Sequence, residues 1–250
     1  MFVVNVAALP SRKDEAFRYS DIDALSAAPS RDAVECVTVV AGERFSRQIV
    51  NVAGVDDVVV QNLTLTLEAG AQASVHILNA GGRLGRIVLD VTLHDGADFS
   101  LGAVQLGTGS QTVELITTVR HIEPNATSRQ VVRSVLGGQA TGSYLGKVAV
   151  ARDAQKTDSE QSVKAMLLDR TATANAKPEL EIYADDVKCA HGATVGELDK
   201  TAMFYLAARG LPPTEAKKLL LQAFIASVFE GAEGEAELTK AALTKLGELV

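Results

Sequence analysis

Potentially reactive side chains are concentrated in the segment PELEIYADDVKCAHGATVG, residues 178–196. It holds two adjacent carboxylates, an ammonium group, a thiol and an imidazole, contributed by Asp185, Asp186, Lys188, Cys189 and His191. A carboxylate pair suits Ca²⁺ binding or acid–base chemistry, whereas a thiolate beside an imidazole suits zinc or iron. A sharply turning core segment would contain the same residue types, so the surrounding elements must decide between these three interpretations.

Cys189 and His191 are two residues apart, and on an extended strand their side chains would share one face. Two ligands do not complete a metal site, so a partner would have to supply the others. The alternative is a buried cysteine next to a hydrogen-bonded histidine at a bend that Gly192 permits. The residues alone favour this alternative, because unpaired cysteines are commonly buried.

Asp185 and Asp186 are adjacent, so on a strand they would point to opposite faces and share a site only at a bend. The favoured interpretation is one solvated carboxylate and one that caps a turn. The alternative is a carbohydrate-active enzyme built on a β-helix, with one of these residues as its acid. Such a groove needs aromatic residues for sugar stacking, and this chain has 4% aromatic residues and no Trp.

Composition narrows the class of protein. The chain has 250 residues, of which 47% are hydrophobic and 22% charged, and its net charge is −7. A negative chain without a basic cluster predicts no nucleic-acid partner, and the short apolar runs predict no membrane span. Cys36 and Cys189 are too few for a disulfide framework. We therefore expect a soluble, cytoplasmic protein.

The chain changes its periodicity near residue 196. Before this point, short apolar alternations with a period of two predict strands, and turn residues separate them. Corresponding turn residues Gly70, Gly96 and Asn125 are spaced by 26 and 29 residues, which favours a β-helix over a β-sandwich. The predicted division is a short N-terminal segment (1–33), a β-helix core (34–196) and a C-terminal helical subdomain (197–250).

The last fifty residues have helical periodicity. A first helix is predicted to end at Gly210, and a second to begin with Thr214 as its N-cap after two prolines. A weaker third helix is predicted over 235–250. Such helices cap the end of a solenoid or dock a partner, and the periodicity alone favours capping.

Three long motifs follow one another in the second half: ARDAQKTDSEQSVKAMLLD (151–169), KPELEIYADDVKCAHGATVGELD (177–199) and FYLAARGLPPTEAKKLLLQAF (204–224). They resemble the SufD branch of the SufB/SufD family, which serves the SUF machinery of iron–sulfur cluster assembly. Gly192 follows His191 where the SufB branch has Glu. The resemblance spans at least residues 121–229 and implies a mainly β fold, a right-handed parallel β-helix with a C-terminal α-helical subdomain.

The resemblance also implies a function. The chain would be a non-enzymatic scaffold subunit that pairs with a SufB-like protein, and His191 would help to build a nascent iron–sulfur cluster shared with that partner. Cys189 is the weaker second candidate ligand, and no cofactor is expected in the isolated chain, which would form a homodimer. The helical tail would dock a SufC-like ABC ATPase, with partner-binding candidates Phe204, Tyr205, Arg209, Leu220 and Phe224.

One departure from the family accompanies this resemblance. Typical SufD proteins are considerably longer and begin with a helical domain that this chain is expected to lack. The motifs that resemble the family's interfaces lie at the other end, so we expect assembly to be retained.

Overall fold

The fold is given by a computed structural model, which describes residues 11–28 and 32–250. Within these residues, twelve strands form two six-stranded parallel sheets. Sheet A contains β1 (Glu35–Val39), β3 (Val58–Leu67), β5 (Leu84–Leu93), β7 (Thr112–His121), β9 (Thr141–Val150) and β11 (Thr173–Ile182). Sheet B contains β2 (Arg44–Asn51), β4 (Gln72–Asn79), β6 (Asp98–Gly107), β8 (Thr127–Leu136), β10 (Asp158–Leu167) and β12 (Lys188–Gly196).

Consecutive strands alternate between the two sheets, so each pair of strands forms one coil of a solenoid. Every strand pairs in parallel with the strand two positions along the chain, as between β10 and β12. Aliphatic side chains from both sheets meet inside the coils and form the main core. The prediction of a mainly β, parallel β-helix fold is confirmed.

A stack of left-handed residues forms one corner of the solenoid. Gly70, Gly96, Asn125 and Lys156 have φ values of 68°, 63°, 64° and 64°. The Gly96 N–H donates to the Pro124 carbonyl oxygen of the next coil at 3.0 Å, and the other three N–H groups make equivalent bonds. The repeat predicted from three of these residues is therefore a real corner, and Lys156 is a further member, as is Gly42, which has φ of 74° and makes the equivalent bond.

Helices flank the solenoid. A 3₁₀ turn (Glu15–Phe17) and α1 (Ile22–Ala27) precede it, and α2 (Lys200–Ala208), α3 (Pro213–Ile225) and α4 (Glu235–Gly247) follow it. An apolar layer joins α3 and α4 to the outer face of sheet B through residues such as Leu221, Leu238 and Val104. Helices α3 and α4 therefore lie on the side of the solenoid, whereas the sequence pattern alone had favoured capping of its end.

The helix boundaries follow local chemistry. Asp199 is the N-cap of α2, because its carboxylate accepts from the Thr201 and Ala202 N–H groups. Gly210, with φ of 88°, ends this helix as predicted. The prediction of Thr214 as the next N-cap is wrong, because Pro213 already occupies the first turn of α3, where its missing N–H costs nothing. None of the helices in the described ranges is long and apolar enough to cross a bilayer.

The N-terminal segment crosses the outer face of sheet A. The Arg86 guanidinium and the Glu114 carboxylate form a buried ion pair at 2.6 Å beneath it. The Ser20 hydroxyl donates to the same carboxylate, and the Ala16 carbonyl oxygen accepts from Arg86. Part of the predicted 1–33 segment, namely 1–10 and 29–31, lies outside the described residues.

Candidate functional site

Cys189 and His191 lie on β12, the last strand of sheet B. The register of β12 on β10 places Cys189 beside Ser159 and His191 beside Gln161. Ser159 and Gln161 are each 1% exposed and face the interior of the solenoid. Side chains in one rung of a sheet share a face, so Cys189 and His191 both face the interior side, as the spacing predicted.

The bend expected at Gly192 is absent, because β12 continues through it to Gly196. A Cβ atom added at Gly192 would meet nothing within 4 Å, so the fold of this chain does not require glycine there. Glycine inside a strand often marks the close approach of another backbone. This position is therefore suited to a close contact with a second molecule.

The two candidate ligands differ in exposure. Cys189 is half-buried and packs against the main core, whereas His191 is exposed. Burial raises the pKa of the Cys189 thiol, and the nearby Asp158 carboxylate acts in the same direction, while the Ser159 backbone opposes them. The thiol is therefore predominantly protonated at neutral pH, and a bound metal would have to displace its proton.

The last coil leaves one end of the solenoid open. Interior-facing residues of β11 and β12 form this open end: Ala176, Pro178, Leu180, Ile182, Cys189, His191, Ala193 and Val195. Val195 at this end and the neighbouring Tyr183 are among the large exposed apolar side chains. The pair of candidate ligands thus lies within an exposed, partly apolar surface at the edge of sheet B.

The interior becomes polar toward this open end. From β4 onward, the row of side chains in register with Cys189 is Ala73, Phe99, Ser128 and Ser159, and the row in register with His191 is Val75, Leu101, Gln130 and Gln161. On β2 these rows begin with Phe45 and Arg47, so the first coil also carries a charged side chain in the second row. Beyond β2, both rows change from apolar to polar side chains at β8. The sequence pattern did not reveal these rows, because neighbouring members are 26 to 31 residues apart and the register decides which of them are neighbours.

Asp185 and Asp186 lie in the turn between β11 and β12, and both are exposed. Lys156 at the left-handed corner forms an ion pair with the Asp186 carboxylate. The Asp186 N–H donates to the Gln155 side-chain oxygen at 2.9 Å. Asp186 is thus engaged in the corner, in agreement with the favoured interpretation of a turn residue. In residues 11–28 and 32–250, no three His, Cys, Asp or Glu residues are grouped to hold a metal ion.

The predicted partner-binding residues fall into two groups. Phe204 and Tyr205 on α2 are 75% and 57% exposed, and the Arg209 guanidinium lies 5.1 Å from the centre of the Tyr205 ring. Leu220 and Phe224 on α3 are half-buried. The Phe224 ring faces the Arg133 guanidinium of β8 at 6.0 Å, so its packing holds α3 to the solenoid.

Leu219 also belongs to the exposed group but was not predicted as a partner-binding residue, although it is 46% exposed. By helical periodicity, Leu219 belongs to the apolar stripe of α3. Periodicity identifies an apolar face but not which part of that face a neighbouring helix covers.

Comparison with known proteins agrees with these features. Residues 17–224 match the family described as SUF system FeS cluster assembly, SufBD core domain. The chain is 30% identical to the iron–sulfur cluster assembly protein SufD of Escherichia coli over 74% of its length, and 32% identical to the SufBD family protein slr0076 of Synechocystis over 67%. It is 34% identical to the chloroplastic protein ABCI7 of Arabidopsis thaliana over 65%.

These matches cover 44%, 38% and 35% of the three relatives, less than half the length of each. The family match, in contrast, includes most of this chain and extends from the N-terminal segment to α3. The parallel β-helix, the C-terminal helices and this match agree with one another. The chain therefore belongs to the SufBD family of SUF-system iron–sulfur cluster assembly proteins.

Proposed function

We propose that this chain is a SufD-like scaffold subunit without catalytic turnover of its own, which acts in the cytoplasm. The observation that carries the proposal is the pair Cys189 and His191, side by side on the edge strand of an open solenoid end. Two ligands on an exposed edge are half of a metal or cluster site. A second subunit completes it with ligands of its own, and the nascent iron–sulfur cluster is the cargo rather than a resident cofactor.

The partner at the open end is a SufB-like protein. β12 is the terminal strand of sheet B, and a terminal strand offers unpaired backbone groups to a second chain. Val195 adds exposed apolar area beside His191, and Gly192 leaves space for a close backbone approach. In the absence of this partner, a second copy of the chain pairs through the same edge and forms a homodimer.

The docking site for a SufC-like ABC ATPase is α2 with the adjoining part of α3. All residues of α2 are at least partly exposed, and its Phe204 and Tyr205, like Leu219 of α3, are large exposed apolar side chains. Large exposed aromatic side chains are the usual anchors of protein interfaces. Leu220 and Phe224 are half-buried, so they contribute less to this surface than the α2 aromatic residues do.

Co-expression with the host's SufB-like and SufC-like proteins tests the assignment, with native mass measurement of the purified complex. We expect a complex of all three chains. Phe204→Ser should remove the ATPase but retain the SufB-like protein, because Phe204 is exposed and its replacement leaves the helix packing intact. Purification of this chain without either protein would contradict the proposal.

His191→Ala tests the role at the open end. The variant should fold as the wild type does, because His191 is exposed, and it should still form the complex. Cluster reconstitution should fall by about tenfold or more, because loss of a ligand's hydrogen-bond partner alone already costs about 10- to 100-fold. Ser100→Ala, a change on the outward face of sheet B, is the control. Equal reconstitution by the two variants would exclude His191 as a ligand.

A further inference from the structure

A hydrogen-bonded cluster, here called the tyrosine network, fills the interior one coil below His191. It consists of Thr117, Gln130, Tyr144 and Gln161. The Tyr144 hydroxyl lies 3.0 Å from the Thr117 hydroxyl, donates to the Gln130 side-chain oxygen at 3.2 Å and accepts from the Gln161 side-chain nitrogen at 3.1 Å. All four side chains are buried, so the network joins both sheets without contact with solvent.

The ring of Tyr144 packs against the backbone at Gly146, where there is no side chain. A Cβ atom at Gly146 would overlap the phenolic oxygen and the adjoining ring carbons, so the ring lies directly across this glycine. Gly146 thereby determines where the hydroxyl group stands. Because the hydroxyl is fixed, the Gln161 side-chain nitrogen that donates to it is fixed as well.

The Gln161 carboxamide makes a hydrogen bond through its nitrogen but not through its oxygen. Its oxygen is buried and has no hydrogen-bond partner. Because the nitrogen is held by Tyr144, the oxygen is the free end, and the next rung toward the open end is occupied by His191. A buried acceptor without a partner costs more free energy than the ordering of one exposed side chain. Gln130 on the preceding rung also has a buried side-chain nitrogen without a partner, but the structure places it outside hydrogen-bond reach of the Gln161 oxygen. His191 on the following rung can therefore supply the missing donor by a change of its side-chain rotamer.

We propose that Gln161 is a positioning residue for His191, with its carboxamide oxygen accepting the N–H of one imidazole nitrogen. The lone pair of the other nitrogen then faces the open end. Metal-binding histidines are commonly held in this way, by an acceptor that fixes the tautomer and the direction of the ring. The consequence for cluster assembly rests on the proposed function, whereas the hydrogen bond is a property of the isolated chain.

The hydrogen bond is tested by NMR of the isolated full chain with ¹⁵N-labelled histidine, at alkaline pH where imidazoles are neutral. His191→Ala identifies the signal. We expect Gln161→Met, which keeps the volume but removes the acceptor, to change the ratio of the two His191 tautomers by about two- to tenfold, as one hydrogen bond allows. Tyr144→Phe should shift the ratio in the same direction, because it releases the Gln161 nitrogen.

Gln105→Met is the matched control. Gln105 is an equally buried carboxamide of sheet B that donates to the Ser143 carbonyl oxygen, but it lies outside the row that leads to His191. This variant should leave the His191 tautomer ratio unchanged. An unchanged ratio in Gln161→Met, or an equal change in Gln105→Met, would overturn the proposal.

The same variants separate this inference from the proposed function. If the tautomer ratio responds to Gln161 but no SUF partner co-purifies, the hydrogen bond stands and the scaffold assignment fails. If the partners co-purify and the ratio does not respond, the scaffold assignment stands and the positioning role of Gln161 is wrong.

Discussion

Gly102 of β6 lies directly against the carbonyl oxygen of Val228, and a Cβ atom at position 102 would overlap this oxygen. Val228 follows α3 and is buried in the apolar layer between the helices and sheet B. The contact requires a residue without a side chain. Gly102 therefore determines how closely the helical subdomain, and with it the proposed ATPase-docking surface, approaches the solenoid.

Gly102→Ala should separate the helices from sheet B. The helices must move outward or the strand must shift, and overpacking of this kind lowers the free energy of unfolding by about 1–3 kcal/mol. Urea unfolding measures the loss, and amide hydrogen exchange in α3 and α4 should accelerate more than exchange in β3 or β5. Gly196→Ala, where a Cβ would meet nothing within 4 Å, is the control. Equal stability of the two variants would contradict this close contact.

The left-handed corner makes a second prediction. Lys156 adopts φ of 64°, a conformation that costs a residue with a Cβ atom about 1 kcal/mol and costs glycine little. Its ion pair with Asp186 is exposed and contributes little. Lys156→Gly should therefore raise the free energy of unfolding by up to about 1 kcal/mol, measured by urea unfolding.

Asn125→Gly is the matched control for this change. Asn125 occupies the same corner with φ of 64°, but asparagine tolerates the left-handed conformation better than lysine does. The gain in stability should be smaller than for Lys156→Gly. A larger gain at Asn125 would show that relief of backbone strain is not the cause.

These corners also show how much of the fold the sequence could predict. The spacing of Gly70, Gly96 and Asn125 predicted the repeat, because left-handed residues have a recognisable chemistry. Lys156 at the same corner was not predicted, since lysine carries no such signature and the neighbouring coils determine its backbone conformation. Local backbone preferences therefore predict the repeat, whereas the conformation of Lys156 depends on tertiary contacts.

The candidate site, like the corner, could be predicted from the sequence only in part. A period of two predicted that Cys189 and His191 share a face, and the register confirms it. The sequence does not predict that Ser159 and Gln161 lie beside them, because neighbours in a solenoid depend on the length of each intervening turn. The packing of α3 and α4 on the side of sheet B likewise depends on an outer face that only the assembled strands create.

The buried ion pair of Arg86 and Glu114 makes a third prediction. Glu114→Gln leaves the guanidinium charge buried without its counter-charge, which lowers the free energy of unfolding by about 3–5 kcal/mol. The N-terminal segment should also loosen, because the Ser20 hydroxyl donates to the same carboxylate. Urea unfolding measures the first effect, and the rate of tryptic cleavage after Arg18 measures the second.

Asp90→Asn is the control for this pair. Asp90 pairs with Arg120 at 2.9 Å on the surface, where both side chains are about 40% exposed. Exposed pairs contribute about 0–1 kcal/mol, so this variant should unfold close to the wild type and be cleaved at the same rate. A loss at Asp90 as large as the loss at Glu114 would remove burial as the explanation.

His121 makes the last prediction, which concerns pH. Burial lowers the pKa of His121 from 6.5 to about 4, and its Nε2 atom lies 3.0 Å from the Ser128 hydroxyl. The unfolded chain therefore binds a proton at a higher pH than the folded chain does. The associated stability is fully present above pH 6.5 and is lost as the pH falls from 6.5 toward 4, by about 3 kcal/mol in total.

Urea unfolding at a series of pH values measures this loss in the wild type and in His121→Gln. The variant should lose less stability between pH 6.5 and 4, and the remaining slope should include a contribution from His76, whose pKa burial also lowers. Ser128→Ala is the matched control, because it removes the hydroxyl but leaves the imidazole buried, so that the slope persists. Parallel curves for the wild type and His121→Gln would show that the buried imidazole accepts its proton as readily in the folded chain as in the unfolded one.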